Sequence, residues 1–331
     1  MVSLITPRSG CGTRPYGDLR QFLQVHPTVA DALADGTPVV ALESTLITHG
    51  FAYPQSVEVA TASEEAVRGS GAVPATIALH GGRLLVGLDQ RTLEALARVG
   101  TARKVARATL AAGLASGDWG GTTVSATMLA ADAAGISIFA TGGIGGVHRG
   151  ALGAPGRGSS GSLDISSDLE ELARTPVAVV CAGPKALLDL PQTLEYLETR
   201  GVPVVTIGED QMPGFYSRSS GVRSPLTAAD VREAARIARV HFATGIRSGL
   251  VLCVPIPLTD EIPRERTARV IDQAIAEADA AGVSGAAVTP WLLKRIAELT
   301  GGASVQANVA LILNNARLAG QLAAEMMSEA R

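Results

Sequence analysis

Val177-Ala178-Val179-Val180-Cys181-Ala182-Gly183-Pro184-Lys185 reads as a buried strand that stops at a glycine-proline bend and presents a lysine at its end. Four more polar, glycine-rich islands stand in the same relation to apolar runs. They are Leu42-Glu43-Ser44-Thr45 with His49-Gly50 and Tyr53-Pro54-Gln55, Gly120-Gly121-Thr122-Thr123-Val124, Thr141 to Gly150, and Asp164-Ile165-Ser166-Ser167-Asp168. The carboxyl ends of the strands in an α/β sheet share one edge, so islands of this kind converge on a single crevice.

Outward from these islands the chain alternates strand and helix. Pro38 to Leu42, Ile136 to Ala140, Pro176 to Ala182, Pro203 to Ile207 and Leu250 to Ile256 read as strands. Gln55 to Arg68, Thr92 to Val99, Thr123 to Ala134, Leu187 to Arg200 and Thr227 to Thr244 read as helices, the third and last opening on threonines able to cap them. Ala75 to Leu79 and Arg83 to Leu88 flank Gly81-Gly82, a two-residue hairpin signal, so the sheet is mixed. The last third is helical: Arg264 to Ala281, Pro290 to Thr300 and Ser304 to about Met326. This predicts a three-layer α/β/α architecture with a mixed, mostly parallel central sheet. Residues 1–18 read as a loose arm, residues 19–331 as a single domain, and Gly153 to Gly161 as a flexible loop.

With 331 residues, 47% hydrophobic and 18% charged, the chain can bury a large core, and its alanine and glycine load suits close packing of helices on a sheet. A net charge of −3 supplies no general pull toward nucleic acid or an anionic membrane, so any phosphate site is made locally. Cys11, Cys181 and Cys253 are odd in number and distant in sequence, which supports neither a disulfide framework nor a zinc ribbon. With no secretory leader or membrane-length apolar run read from the sequence, the expectation is a cytoplasmic protein of enzyme size.

Several side chains can carry chemistry. Lys185 either reaches solvent from a loop or, held against apolar core, loses its proton and becomes a nucleophile or imine former. Glu43 either caps the next helix or faces the crevice as an acid. Asp164 and Asp168 surround Ser166-Ser167, a pattern of helix starts as well as of hard-cation ligands. The Thr141–Gly150 segment fails the dinucleotide fingerprint, since His148 stands where the third glycine belongs. Its backbone, like that of Gly120 to Thr123, still offers a nest for phosphate. Lys104 and Arg149 are candidates for the local positive charge. His148 and Asn308 are either substrate contacts or structural hydrogen-bonding groups.

The five islands in this order resemble the pseudouridine-5'-phosphate glycosidase family, also called indigoidine synthase A-like, from about Thr37 to about Arg317. The resemblance implies that Lys185 is the covalent nucleophile, attacking C1' of the sugar as the ribose ring opens, and that the base departs through an imine. It implies that Glu43 is the proton donor, that Asp164 ligates Mn²⁺ or another divalent cation, and that Lys104, Val124, Ser166, Ser167, Asp168, His148 and Asn308 contact substrate. It also implies a homotrimer, for which the largely apolar C-terminal helices could supply an interface. Two other readings stay open: a related lysine-dependent lyase or glycosidase acting on another phosphorylated sugar or nucleotide, and a non-catalytic nucleotide-binding protein.

Two stretches depart from the family. Residues around Gly153 to Gly161 lengthen the connection before Asp164. Lys104 is followed by Val105-Ala106-Arg107-Ala108-Thr109 where the family usually reads Val-Ser-Arg-Arg-Asp, which bears on phosphate binding and substrate choice.

Overall fold

The structure is a computed structural model and describes residues 18–151, 163–283 and 288–328. The expected N-terminal arm, but for residue 18, and the Gly153 to Gly161 loop lie outside the described residues.

The strands are Leu23–Val25 (β1), Val39–Leu42 (β2), Val73–His80 (β3), Arg83–Val86 (β4), Arg103–Val105 (β5), Gly120–Thr122 (β6), Ile138–Ala140 (β7), Val147–His148 (β8), Ala178–Cys181 (β9), Leu188–Asp189 (β10), Val204–Ile207 (β11), Leu226–Ala228 (β12) and Leu250–Cys253 (β13). Among the described residues, eleven of them form one sheet in the order β1-β4-β3-β2-β7-β9-β13-β11-β12, with β6 beside β3 and β5 beside β6. Only the β3–β4 and β3–β6 pairings in it are antiparallel. The mixed, mostly parallel sheet expected from the sequence is therefore present. At the predicted hairpin His80 faces Arg83, and Gly81 and Gly82 take φ of 58° and 72°, the left-handed pair that a tight two-residue turn requires.

Alternation along the central strands builds the three layers, because successive side chains point to opposite faces. Val39, Ala41, Phe139, Val179 and Val251 join one core with Val124 and Met128 of the helix Val124–Ala134. Val40, Leu42, Ile138, Ala140, Val180 and Leu252 join the other, covered by Val67, Ala234, Ala238, Ala316, Ala319 and Ala323. These come from the helices Gln55–Arg68, Val231–Ala243 and Ala303–Ser328. Small residues let these helices lie close: a Cβ on Gly320 would stand 2.7 Å from Cβ of Ser70. The apolar face of Ala303–Ser328 is thus used inside the chain.

Three helix starts differ from the sequence reading. Thr123 makes no side-chain cap; the N–H of Ser125 in that first turn instead donates to Asp168 Oδ1 at 3.0 Å. Thr227 lies in β12, and Asp230 caps the helix that follows. The helix expected from Leu187 begins at Leu190, because Leu188 and Asp189 pair with His148 and Val147 and Asp189 then caps it. In each case an aspartate took a role that local sequence also offered elsewhere.

Candidate active site

The register of the central strands decides what meets. Leu42 pairs with Ala140 and Ala140 with Val180, so β2, β7 and β9 end at one level. Glu43, Thr141 and the Ala182-to-Lys185 bend follow at the same edge, as expected. The Gly120–Thr122 island arrives differently, as a strand antiparallel to β3. It is locked to β2 by Ser44, whose Oγ donates to Ile77 O at 2.6 Å and accepts the Thr122 N–H at 3.0 Å, and by Thr45 Oγ1, which donates to Thr122 O at 2.7 Å. Glycine is required here: a Cβ on Gly121 would fall 2.2 Å from Thr48 Oγ1 and 3.0 Å from Ser44 O.

Two adjoining cavities share Glu43, Thr45, Lys104 and Lys185. The first, about 220 Å³, is the more polar of the two and adds Val124, His148, Ser166, Ser167 and Asp168. The second, about 100 Å³, adds Asn308 and Thr141, with apolar walls from Leu46, Phe51, Phe215, Leu293 and Ile312. Of the residues expected in the site, all but Asp164 and Arg149 therefore line one crevice in two halves. Asp164 sits at its rim and is exposed, its carboxylate 3.7 Å from Nδ1 of His148, which lines the polar half.

Glu43 is 8% exposed and accepts a hydrogen bond from the Thr141 hydroxyl. Burial holds its carboxyl above the ordinary value of 4.5; the Lys185 ammonium and the Thr141 hydrogen bond pull it back in part, Asp168 pushes it up, and Lys104 pulls it down. A neutral carboxyl at this place is an acid that can give up a proton. Lys104 is held below its ordinary value of 10.5 by burial and then by Lys185, against the attraction of Asp168 and Glu43. Lys185 is half-buried at the junction of the two halves.

Both backbone nests expected to hold phosphate donate to the protein's own groups, Gly145 to the Asp168 carboxylate, Thr122 to the Ser44 hydroxyl and Thr123 to the Val105 carbonyl. Asp168 Oδ1 takes the N–H of Ser125 and Oδ2 that of Gly145 at 2.9 Å, while the N–H of Thr123 donates to Val105 O at 2.9 Å. The helix-start reading of the Asp164–Asp168 segment holds for Ser166, which caps Ser167–Leu172 by accepting the Asp168 N–H. Arg149 is a second correction: it pairs with Asp272 at 3.0 Å and lines a further cavity that shares Lys185 and Leu188 with the crevice. Arg107 likewise turns to the fully buried Glu171 rather than to the crevice.

Sequence reasoning missed Phe215 and gave His49 no role. His49, in the first island, lines the less polar half; Thr48 Oγ1 stands 2.7 Å from its Nδ1, and burial and then Lys104 hold its imidazole below the usual value. Phe215 follows β11 in Pro213-Gly214-Phe215-Tyr216, a notable pair of rings in a chain with 3% aromatics, and that was its only signal.

Among the described residues no three His, Cys, Asp or Glu side chains cluster as a metal-binding group. One exposed carboxylate with an imidazole beside it suits a hard cation that keeps most of its water, and does not suit zinc.

An α/β/α sheet whose strand ends bring together an uncharged-leaning carboxyl and two lysines defines an enzyme of a small anionic substrate. The chain belongs to the indigoidine synthase A-like protein family, which it matches over residues 28–325. It is 55% identical to the pseudouridine-5'-phosphate glycosidase of Paracoccus denitrificans, across 92% of this chain and 98% of that one. It is 51% identical to the protein of the same name from Deinococcus radiodurans, across 95% and 98%. Among solved structures it resembles the prealnumycin C-glycosynthase AlnA in complex with ribulose 5-phosphate, with a TM-score of 0.85 and 39% identity over 94% of this chain and 98% of that one. The resemblance read from the five islands is borne out.

Proposed function

We propose that this chain is a pseudouridine-5'-phosphate glycosidase, reversibly cleaving the carbon-carbon glycosidic bond of pseudouridine 5'-phosphate to uracil and ribose 5-phosphate. The observation that carries the reading is the meeting of a polar and an apolar half-cavity on Glu43, Lys104 and Lys185. A nucleotide has the same two halves, and its scissile bond joins them.

In this reading Lys104, His148, Ser166 and Ser167 receive the sugar phosphate, and Asn308 the edge of the base. The Lys185 nitrogen bonds to C1' as the C1'–O4' bond breaks, and Glu43 gives its proton to O4'. The C1'–C5 electron pair then leaves with uracil, C5 takes the proton shed by the nitrogen, and the nitrogen lone pair closes C1'=N. Water hydrolyses this imine, frees ribose 5-phosphate and returns a proton to Glu43. Carbon cannot leave by simple protonation as a glycosidic oxygen does, so covalent catalysis by an amine suits the bond. Asp164, with His148 beside it, would hold a divalent cation such as Mn²⁺, whose charge would help to bind the phosphate.

A cytoplasmic homotrimer belongs to the same proposal. The unbridged, buried thiols of Cys181 and Cys253 fit a reducing compartment, and no single described helix is long and apolar enough to cross a membrane. Sedimentation equilibrium tests the trimer.

The deciding experiment incubates the protein with Mn²⁺ and pseudouridine 5'-phosphate, follows uracil, then reduces with borohydride and maps the adduct by peptide mass spectrometry. Uracil release with a ribose-phosphate adduct on Lys185 is expected; neither product, from folded and metal-loaded protein, overturns the reading. Action on another phosphorylated sugar is the second reading, favoured by the C-glycosynthase among the solved structures and by the Ala106 and Ala108 departures, Ala106 lining the polar half.

A further inference from the structure

Phe215 is the one non-glycine residue among those described that takes a positive φ, 66°. For a bulky side chain this conformation is strained, and such strain persists only where the surroundings enforce it, commonly at ligand sites. The surroundings here are specific. The ring packs over the backbone of Gly143, where a Cβ would stand 2.6 Å from its Cε2, and it meets Tyr216 edge to face at 4.8 Å between centroids. Its loop is held by the N–H of Gly214 on Ser217 O and the N–H of Ile262 on Tyr216 O, at 2.9 and 2.8 Å. Phe215 is 4% exposed, and what surface it retains lines the less polar half of the crevice beside Asn308 and Lys185.

We propose that Phe215 is a specificity-determining residue that selects a planar base, its strained backbone setting the ring as a wall of the base half of the crevice. The proposal rests on the glycosidase reading and adds to it the residue that distinguishes a flat pyrimidine from a puckered ring of the same size. Aromatic side chains contribute to base binding through stacking at little conformational-entropy cost, and they tolerate no out-of-plane bulk.

The synthetic direction separates the two halves, because uracil and ribose 5-phosphate enter as independent substrates. Phe215→Leu is expected to raise KM for uracil about tenfold, the scale of one base-aromatic contact, and to leave KM for ribose 5-phosphate unchanged. Phe215→Tyr, which keeps the ring, restores the uracil KM. In the unmodified enzyme, uracil inhibits cleavage about tenfold more strongly than 5,6-dihydrouracil, a measurement that needs no folded variant. Equal inhibition by the two compounds, an unchanged uracil KM in Phe215→Leu, or parallel rises in both KM values would each overturn the proposal. Absence of synthesis and of a Lys185 adduct in the unmodified enzyme would instead overturn the glycosidase reading.

Discussion

Asp168 and Ser125 are joined across 43 positions of sequence: Asp168 Oδ1 accepts the Ser125 N–H at 3.0 Å at the start of the helix Val124–Ala134. With Gly145 on its other oxygen, this carboxylate ties its own island to the Thr141-to-Gly150 island and to the residue just after Gly120-Gly121-Thr122-Thr123-Val124. It stands on the crevice wall and also sets that wall's shape.

Asp168→Ala strands one buried and one part-buried donor and is expected to lower stability by about 1–3 kcal/mol, with activity falling as well. Asp168→Asn, whose amide oxygen can still accept one of the two N–H groups, recovers part of the loss. Urea unfolding of the two variants is the measurement; equal stability of Asp168→Ala and wild type would contradict the tie.

Glu43→Gln removes the proposed proton donor and is expected to reduce kcat by roughly 10²–10⁴. Because burial holds the Glu43 carboxyl above its ordinary value, the wild-type rate falls as pH rises through that raised pKa, and the variant lacks this limb. Stability has the same sign. The contribution of the protonated group is complete below the unfolded value of 4.5 and is lost as pH rises through the folded pKa. Glu43→Gln therefore gains in melting temperature relative to wild type at pH 8 compared with pH 5.

Lys104→Ala removes a cation from the polar half. It is expected to raise KM for ribose 5-phosphate roughly 10–100-fold and to spare KM for uracil, as loss of one charge-assisted contact predicts. Since burial and Lys185 lower the Lys104 pKa, wild-type KM for ribose 5-phosphate rises with alkaline pH sooner than an ordinary lysine would dictate. A pH-independent KM from neutral to alkaline pH argues against this role.

Asp164→Ala is expected to abolish Mn²⁺ binding in calorimetry, and His148→Ala to weaken it roughly tenfold, the scale for a group that supports a ligand. Undiminished binding in Asp164→Ala would move the cation elsewhere.

Gly145→Ala places a Cβ 2.1 Å from Ser166 Oγ and 2.8 Å from Asp168 Oδ2. Displacing both is expected to cost about 1–3 kcal/mol and most of the activity. Circular dichroism melts beside uracil release would register both losses.

Much of the strand and helix succession was legible because it lives in local periodicity: Gln55–Arg68 falls where the spacing predicted, and the Gly81-Gly82 hairpin pairs as expected. The short strands Arg103–Val105 and Gly120–Thr122 were missed, since three residues carry no period. Of the site, Glu43, Lys104, His148 and Lys185 were readable from motifs, and the crevice does gather them. Phe215 belongs to no island, and only its backbone strain and its seat on Gly143 reveal it.

By itself the sequence determined the layered α/β/α plan, through alternation on strands and helical spacing, and the residue types the crevice holds. Tertiary structure alone decided which groups meet. Cys181 and Cys253, far apart in the chain, lie in register on neighbouring strands, where the Cys181 thiol and burial push the Cys253 thiol well up. Arg149 was drawn to Asp272 and Arg107 to Glu171, leaving Lys104 in the crevice. Asp168, Ser44 and the Val105 carbonyl took backbone N–H groups expected to serve phosphate. The reason is physical: a local pattern fixes the direction in which a side chain leaves the backbone, but partners and desolvation are properties of the packed whole.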